Sequence, residues 1–285
     1  AEPTTGMPLP EMHEVETVRR QLQERVAGRR ITWVEVRDDK FTSPDAPPAV
    51  VADLEGRRIR AVERRGKYLL LPLDSGDVFV MHLRMTGSLR WWPGAPDPDE
   101  RFVRAVFTLD DGSTLTFADM RRFGRGWILP ADDPDPEGYW AARVGVEPLE
   151  PGFTPEVLAG LIDGRRGPIK AVLLNQALVA GLGNIYADEA LFSARIHPER
   201  PAGSLDAGEV ARLHEGIRER LALAVDSGGS SIDTYRDSLG GSGSMQDRLR
   251  VHLREGHACP RCGDTVVKTR VAQRGTYLCP TCQVA

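Results

Sequence analysis

The sequence predicts an α+β protein: an N-terminal β-sandwich with one flanking helix, then a helical domain that ends in a β-hairpin clamped by cysteines. Three observations carry this. Short alternating apolar runs, separated by turn residues, fill the stretch from Ile31 to Leu129. A Pro/Asp-rich stretch then gives way to apolar residues at helical spacing. The only 4 cysteines stand in two pairs, Cys259-Pro-Arg-Cys262 and Cys279-Pro-Thr-Cys282.

Taken in order, residues 1–10 are rich in Pro, Thr and Gly and read as disordered. A helix starts near Glu14, since Val15, Val18, Leu22 and Val26 make one apolar stripe, and Gly28 stops it. Strands follow at Ile31–Val36, Tyr68–Pro72, Val78–Met81, Ala105–Leu109, Thr114–Phe117 and Trp127–Leu129. Asp110-Asp111-Gly112 marks a hairpin. The domain spans 10–130, and 131–152 reads as a linker. In 153–235, helices are expected around Leu158–Ile162, Ile169–Ala177, Tyr186–Ala194 and Ala207–Val225. Residues 236–250, with Gly240, Gly241 and Gly243, form a flexible loop, and 251–285 form the cysteine hairpin.

Composition is that of a globular protein, 41% hydrophobic and 27% charged. No apolar run approaches the ~18 residues of a membrane span, and no basic apolar leader opens the chain, so a cytoplasmic protein is expected. The net charge of -4 argues against a uniformly basic nucleic-acid binder. Its distribution is uneven. Arg57, Arg58, Arg60, Arg64, Arg65 and Lys67 face only Glu63 in their stretch, while Asp132, Asp133, Asp135 and Glu137 cluster elsewhere. An acidic average therefore coexists with a basic face.

Two CxxC pairs let four thiolates converge on one ion, and a closed thiolate shell makes a structural zinc site rather than a catalytic one. The alternative is two disulfides. Between the pairs, Val266–Val271 and Arg274–Leu278 read as a hairpin that carries Lys268, Arg270 and Arg274, which suits a phosphate partner. Gly181-Leu-Gly183-Asn184 separates two apolar helices. Its glycines permit close backbone approach, and the next helix offers free N–H groups. An ordinary helix corner is the competing reading.

Taken together, these blocks resemble the formamidopyrimidine-DNA glycosylase/endonuclease VIII family of base-excision repair enzymes, from about Pro10 to Gln283. Gly181–Tyr186 is similar to the family's helix–two-turn–helix, and Gln273–Gln283 to its zinc finger. Arg64–Leu70, His82–Ser88 and Asp119–Gly124 resemble blocks of its N-terminal domain. The resemblance implies a β-sandwich, then a helix–two-turn–helix domain with a zinc-finger β-hairpin, with damaged double-stranded DNA bound between. One structural zinc, a monomer, and a bacterial nucleoid-associated place in the cell are the further expectations.

The resemblance also assigns roles. Pro10-Glu11-Met12-His13-Glu14-Val15-Glu16-Thr17 is similar to the family's opening, with His13 where the family has proline. Pro10 becomes the amine that attacks the sugar C1′ of a flipped nucleotide, Glu11 the acid/base, and Glu14 a supporting carboxylate. Lys67 is cast as the lysine beside the lesion phosphate, and Arg274 as the finger arginine that grips it. Lys170 and Asn184 match phosphate contacts. Met85, Arg121 and Phe123 resemble the trio that fills the gap left by flipping, with Arg122 as a substitute for Arg121.

Residues 1–9 stand ahead of Pro10, and an amide-bonded proline nitrogen cannot form a Schiff base. The expectation is that these residues are removed or lie ahead of the true start. Translation from Met7 would free Pro8 instead, and in a third reading the protein binds damage without cutting. By the same resemblance, Met85, Arg121 and Phe123 imply the branch that acts on oxidised purines, 8-oxoguanine and formamidopyrimidines, over the one that acts on oxidised pyrimidines. A zinc-finger protein without lesion preference is the plain alternative.

Overall fold

The computed structural model describes residues 12–133, 135–227, 237–241 and 245–284. Pro8, Pro10 and Glu11 lie outside them. The described chain forms two units. One holds residues 12–136 with 237–241, the other 137–227 with 245–284.

The N-terminal unit opens with α1 (Met12–Val26), whose Val15, Val18, Leu22 and Val26 are buried as the stripe requires. Gly28 ends it at φ 82, a left-handed conformation that costs glycine little. Eight strands follow: β1 (Ile31–Val36), β2 (Glu63–Arg65), β3 (Tyr68–Pro72), β4 (Val78–His82), β5 (Gly87–Trp92), β6 (Val103–Leu109), β7 (Thr114–Asp119) and β8 (Arg125–Leu129). They form two antiparallel four-stranded sheets, in the orders β1-β6-β7-β5 and β2-β3-β4-β8. Leu22, Ile31, Phe41, Leu69, Phe79, Phe107 and Phe117 share one core with the α1 stripe. Two short helices, α2 (Asp39–Thr42) and α3 (Pro47–Leu54), bring Phe41, Val50 and Leu54 into that core.

The expected linker contains a helix, α4 (Pro136–Ala141). The helical unit then runs α5 (Pro155–Ile162), α6 (Ile169–Leu173), α7 (Asn184–Ala194) and α8 (Ala207–Asp226). Asp206 and Glu209 close a reciprocal capping box at the start of α8. The second helix of this series is shorter than the expected Ile169–Ala177. The chain ends in the hairpin β9 (Val267–Val271) and β10 (Arg274–Leu278), whose Tyr277 packs with Phe192 of α7, Val251, Val266, Cys259 and Cys279. No helix among the described residues is long and apolar enough to cross a membrane.

Candidate nucleic-acid interface and metal centre

In the N-terminal unit, Lys67 sits in the two-residue turn between β2 and β3, where Arg65 pairs with Tyr68. It is not the solvated lysine of an ordinary turn; it is 7% exposed. The turn is held from α1. Glu16 accepts from Arg64 Nε at 3.1 Å, and Arg64 donates in turn to the Gly66 carbonyl at 2.8 Å. Burial opposes the charge on Glu16, yet hydrogen bonds from Arg19 and Arg20 and the charge of Arg64 hold its pKa below the usual carboxylate value. Two buried imidazoles feel the Lys67 charge. His13 and His82 are each lowered from 6.5 to about 3, first by burial, then by Lys67 for His13 and by Arg84 and Lys67 for His82. Both are therefore neutral at neutral pH. Glu14 is also buried in this region.

Met85, Arg121 and Phe123 lie on two loops of the same unit. The tight turn Leu83–Gly87 carries Met85 and closes with Gly87 N–H on the Leu83 carbonyl at 3.0 Å. A Cβ at Gly87 would lie 2.2 Å from that oxygen, so the turn requires glycine. The second loop follows β7. Asp119, 1% exposed, accepts from the backbone N–H of Arg121 (3.1 Å), Phe123 (2.8 Å) and Gly124 (2.7 Å). The Thr86 hydroxyl donates to the same carboxylate and accepts from Arg121 N–H at 3.1 Å. The two loops are thus one structure. Phe123 is 45% exposed, with the Arg121 guanidinium 5.0 Å above its ring. Arg122 is committed elsewhere: its guanidinium makes a two-point pair with Asp38 at 2.6 and 2.8 Å. The site geometry therefore offers Arg121, not Arg122. The sequence alone marks no role for Asp119 or Thr86, although they stand within Asp119–Gly124 and His82–Ser88.

In the helical unit, Gln176 closes the Gly181–Gly183 turn, accepting from Gly181 N–H (3.0 Å) and donating to the Leu182 carbonyl (2.8 Å). Asn184 then opens α7. Its Nδ2 donates to the Gly275 carbonyl at 2.9 Å. Lys170 is placed otherwise than expected. It is wholly buried, with Nζ 2.7 Å from Asp188 Oδ1, 2.7 Å from Thr276 Oγ1 and 3.0 Å from the Gly275 carbonyl. A buried ammonium must be paired, and this one is spent on the hairpin rather than turned to solvent. Lys170 and Asn184 converge on the peptide that follows Arg274. Arg274 itself is exposed, beside the two-residue tip Ala272-Gln273, whose left-handed φ values of 48 and 60 suit a tight hairpin turn. Lys268 and Arg270 are exposed on the same hairpin.

Two further acids organise this unit. Asp188 Oδ2 accepts from Tyr277 N–H at 3.2 Å and lies 2.8 Å from His252 Nδ1. Glu189 gathers the successive N–H groups of Arg250, Val251 and His252 at 2.9–3.0 Å. Both are wholly buried. The sequence does hold a signal for them, since adjacent acids inside the apolar helix Ile185–Ala194 have no solvent face to occupy.

The four cysteines form no disulfides. Their sulfurs all lie within 4.8 Å of one another, with Cys259–Cys282 at 3.9 Å and Cys262–Cys279 at 3.5 Å. Sulfurs ~2.3 Å from one tetrahedral zinc stand about 3.8 Å apart, whereas a disulfide needs about 2 Å. The donor set fits one structural zinc, held by Cys259, Cys262, Cys279 and Cys282. Gln283, wholly buried, ties this knuckle to the helices by accepting from Cys279 N–H and donating to the Ile196 carbonyl, each at 3.0 Å.

Fold and site together define a zinc-finger protein whose units each expose cations, Arg121 beside Phe123 in one and Lys268, Arg270 and Arg274 in the other. Comparison with known proteins makes this specific. The formamidopyrimidine-DNA glycosylase N-terminal domain matches residues 9–126, the formamidopyrimidine-DNA glycosylase H2TH domain 144–236, and the zinc finger found in FPG and IleRS 256–284. A formamidopyrimidine-DNA glycosylase of Symbiobacterium thermophilum is 52% identical over 96% of this chain and 89% of its own. A Lactococcus lactis FPG variant in complex with Fapy-dG containing DNA superposes with a TM-score of 0.89 at 36% identity, covering 97% of this chain and 100% of that one. The Lactococcus lactis Fpg bound to DNA containing an abasic site gives the same score, identity and coverage. The chain belongs to the formamidopyrimidine-DNA glycosylase family.

Proposed function

We propose that this base-excision repair glycosylase and abasic-site lyase removes oxidised purines, 8-oxoguanine and formamidopyrimidines, from duplex DNA, with Pro10 as its nucleophile. The Pro10 amine, once free, attacks C1′ of the flipped nucleotide. The bond from C1′ to the base breaks, and the base leaves with the electron pair and takes up a proton. The proline nitrogen then gives up its proton, its lone pair expels the ring oxygen O4′, which is protonated, and the open-chain iminium that results is an electron sink. Loss of a C2′ proton expels the 3′ phosphate, and a second elimination expels the 5′ phosphate. Glu11 moves the protons. Lys67, buried beside neutral His13 and His82, is the cation at the lesion phosphate, and Arg274 grips the backbone from the finger. Asn184 and Lys170 fix the peptide after Arg274 and so aim it.

The observation that carries this reading is the joining of two loops, through Asp119 and Thr86, that present Met85, Arg121 and Phe123 in the unit holding Lys67. An aromatic, a thioether and a guanidinium together replace a lost base and engage its orphaned partner. We assign catalysis to residues 10–130, DNA binding to 153–235 and 251–285, and cover of the flipped base to 236–250, with 131–152 as linker. The enzyme works at the bacterial nucleoid, where its substrate lies. Single-turnover cleavage of otherwise identical duplexes with 8-oxoguanine or thymine glycol tests the lesion choice. Faster cutting at 8-oxoguanine is expected, and faster cutting at thymine glycol would reassign the enzyme to oxidised pyrimidines.

A further inference from the structure

α8 ends at Asp226 in the helical unit, and the chain is back in that unit from Met245 onward. Between them, residues 237–241 belong to the N-terminal unit. They form a tight turn. Asp237 N–H donates to the Gly241 carbonyl and Gly240 N–H to the Asp237 carbonyl, each at 3.0 Å. Asp237 Oδ1 accepts from Leu239 N–H (2.9 Å) and Gly241 N–H (2.7 Å).

This turn has a built seat. Gln21 of α1 donates from Nε2 to Asp237 Oδ2 at 2.9 Å, and its Oε1 accepts from Ser238 N–H at 3.0 Å and from the Ser238 hydroxyl. The Ser238 carbonyl takes the Trp91 N–H at 2.8 Å. Trp91 lies on β5, at the edge of its sheet, so the segment occupies an edge donor that would otherwise need water. Ser238 is wholly buried. Gly240 lies against Arg90, whose guanidinium would be 2.8 Å from a Cβ there. Arg90 is steadied by the Trp92 ring at 4.2 Å and by Glu100 at 3.7 Å. The carboxamide of Gln21 uses both of its ends, so neither Glu nor a shorter side chain reproduces it.

Gln21 is on the helix that Pro10 and Glu11 immediately precede. Nine helical steps, about 14 Å, separate it from Met12. We propose that Gln21 is a positioning residue for base excision: with Asp237 it clasps the root of loop 236–250 to the helix that follows the nucleophile, fixing both in one frame. This rests on the reading that the loop covers the flipped base. Excision needs the loop and the nucleophile on the same nucleoside. Cutting a ready-made abasic site, which has no base to cover, needs only the nucleophile and the phosphate contacts.

The clasp allows an exchange of roles that tests it. Q21E sets two carboxylates face to face, and D237N sets two amides face to face. The double variant Q21E/D237N restores one donor against one acceptor, while the asparagine oxygen still serves Leu239 and Gly241. Excision of 8-oxoguanine and nicking of a ready-made abasic duplex are measured under single turnover. Each single variant is expected to excise about tenfold more slowly than wild type at unchanged nicking, and the double variant to recover to within about threefold. Wild-type excision by both single variants, equal loss of nicking and excision, or no recovery in the double variant would each overturn the clasp. A wild-type enzyme inert on both duplexes would instead overturn the functional reading beneath it.

Discussion

The hydroxyl of Thr86 donates to the carboxylate of Asp119 across 33 positions of sequence, and that contact joins the turn carrying Met85 to the loop carrying Arg121 and Phe123. One buried carboxylate satisfies the backbone of one loop and the side chain of the other, so the proposed wedge is held in shape by two residues outside the Met85, Arg121 and Phe123 trio.

Asp119→Ala leaves the Phe123 and Gly124 N–H groups and the Thr86 hydroxyl without their acceptor, and leaves Arg121 N–H with Thr86 alone. Each unsatisfied buried donor costs about 1–3 kcal/mol, part of it recovered by water. The N-terminal unit should remain folded but lose stability, and preference for an abasic-analogue duplex over intact duplex should shrink at least tenfold. Competition binding measures it. An undiminished preference would show that the loops hold their shape without Asp119.

Arg121 and Arg122 should separate cleanly. Arg121→Ala is expected to lose discrimination of the base opposite the lesion, with no change in unfolding temperature. Arg122→Ala should lower the unfolding temperature, because Asp38 then lacks its two-point partner, and keep discrimination. Cleavage of 8-oxoguanine opposite each of the four bases, with thermal unfolding alongside, decides between them.

Lys170 and Arg274 make a second contrasting pair. Lys170→Met removes the buried cation paired with Asp188 and leaves that carboxylate only Tyr277 N–H and His252, a loss of up to about 3–5 kcal/mol that should loosen the hairpin. Arg274→Ala should spare stability and lower the slope of log affinity against log salt by about one. Denaturation and salt titration of both variants test this. A stable Lys170→Met protein with a reduced salt slope would return Lys170 to the phosphate contacts.

The buried imidazoles set a pH dependence. His13 and His82 titrate near 3 in the folded protein and near 6.5 when unfolded. Between those values the unfolded chain binds more protons, so stability is complete above about pH 6.5 and falls as pH drops toward 3. The slope contributed by each group approaches about 1.4 kcal/mol per pH unit. His82→Phe should flatten that fall in denaturant titrations between pH 4 and 7, and an unchanged slope would show that His82 is not the group responsible.

Much of this architecture is written in the sequence. The α1 stripe and six of the strands follow from apolar period, and the hairpin and zinc shell from cysteine spacing. What escaped has physical causes. β2 is three charged residues, Glu63-Arg-Arg65, and carries no apolar signal. Helix α4 begins at a proline inside an acidic stretch, where proline is favoured at a first turn but reads as a linker. The resemblance casts Lys170 as a phosphate contact, and nothing local in the sequence shows that its partner, Asp188, arrives from another helix. The Gln21–Asp237 clasp links positions 216 apart and has no local signature at all.

The central claim is that a free proline amine cuts the DNA. A chain beginning at Pro10 is mixed with 8-oxoguanine duplex and borohydride, and the trapped product is digested and weighed by mass spectrometry. The expected result is one reduced adduct on the peptide starting at Pro10, absent from a chain in which residues still precede it. No adduct at Pro10, or an adduct on Lys67, would contradict the account.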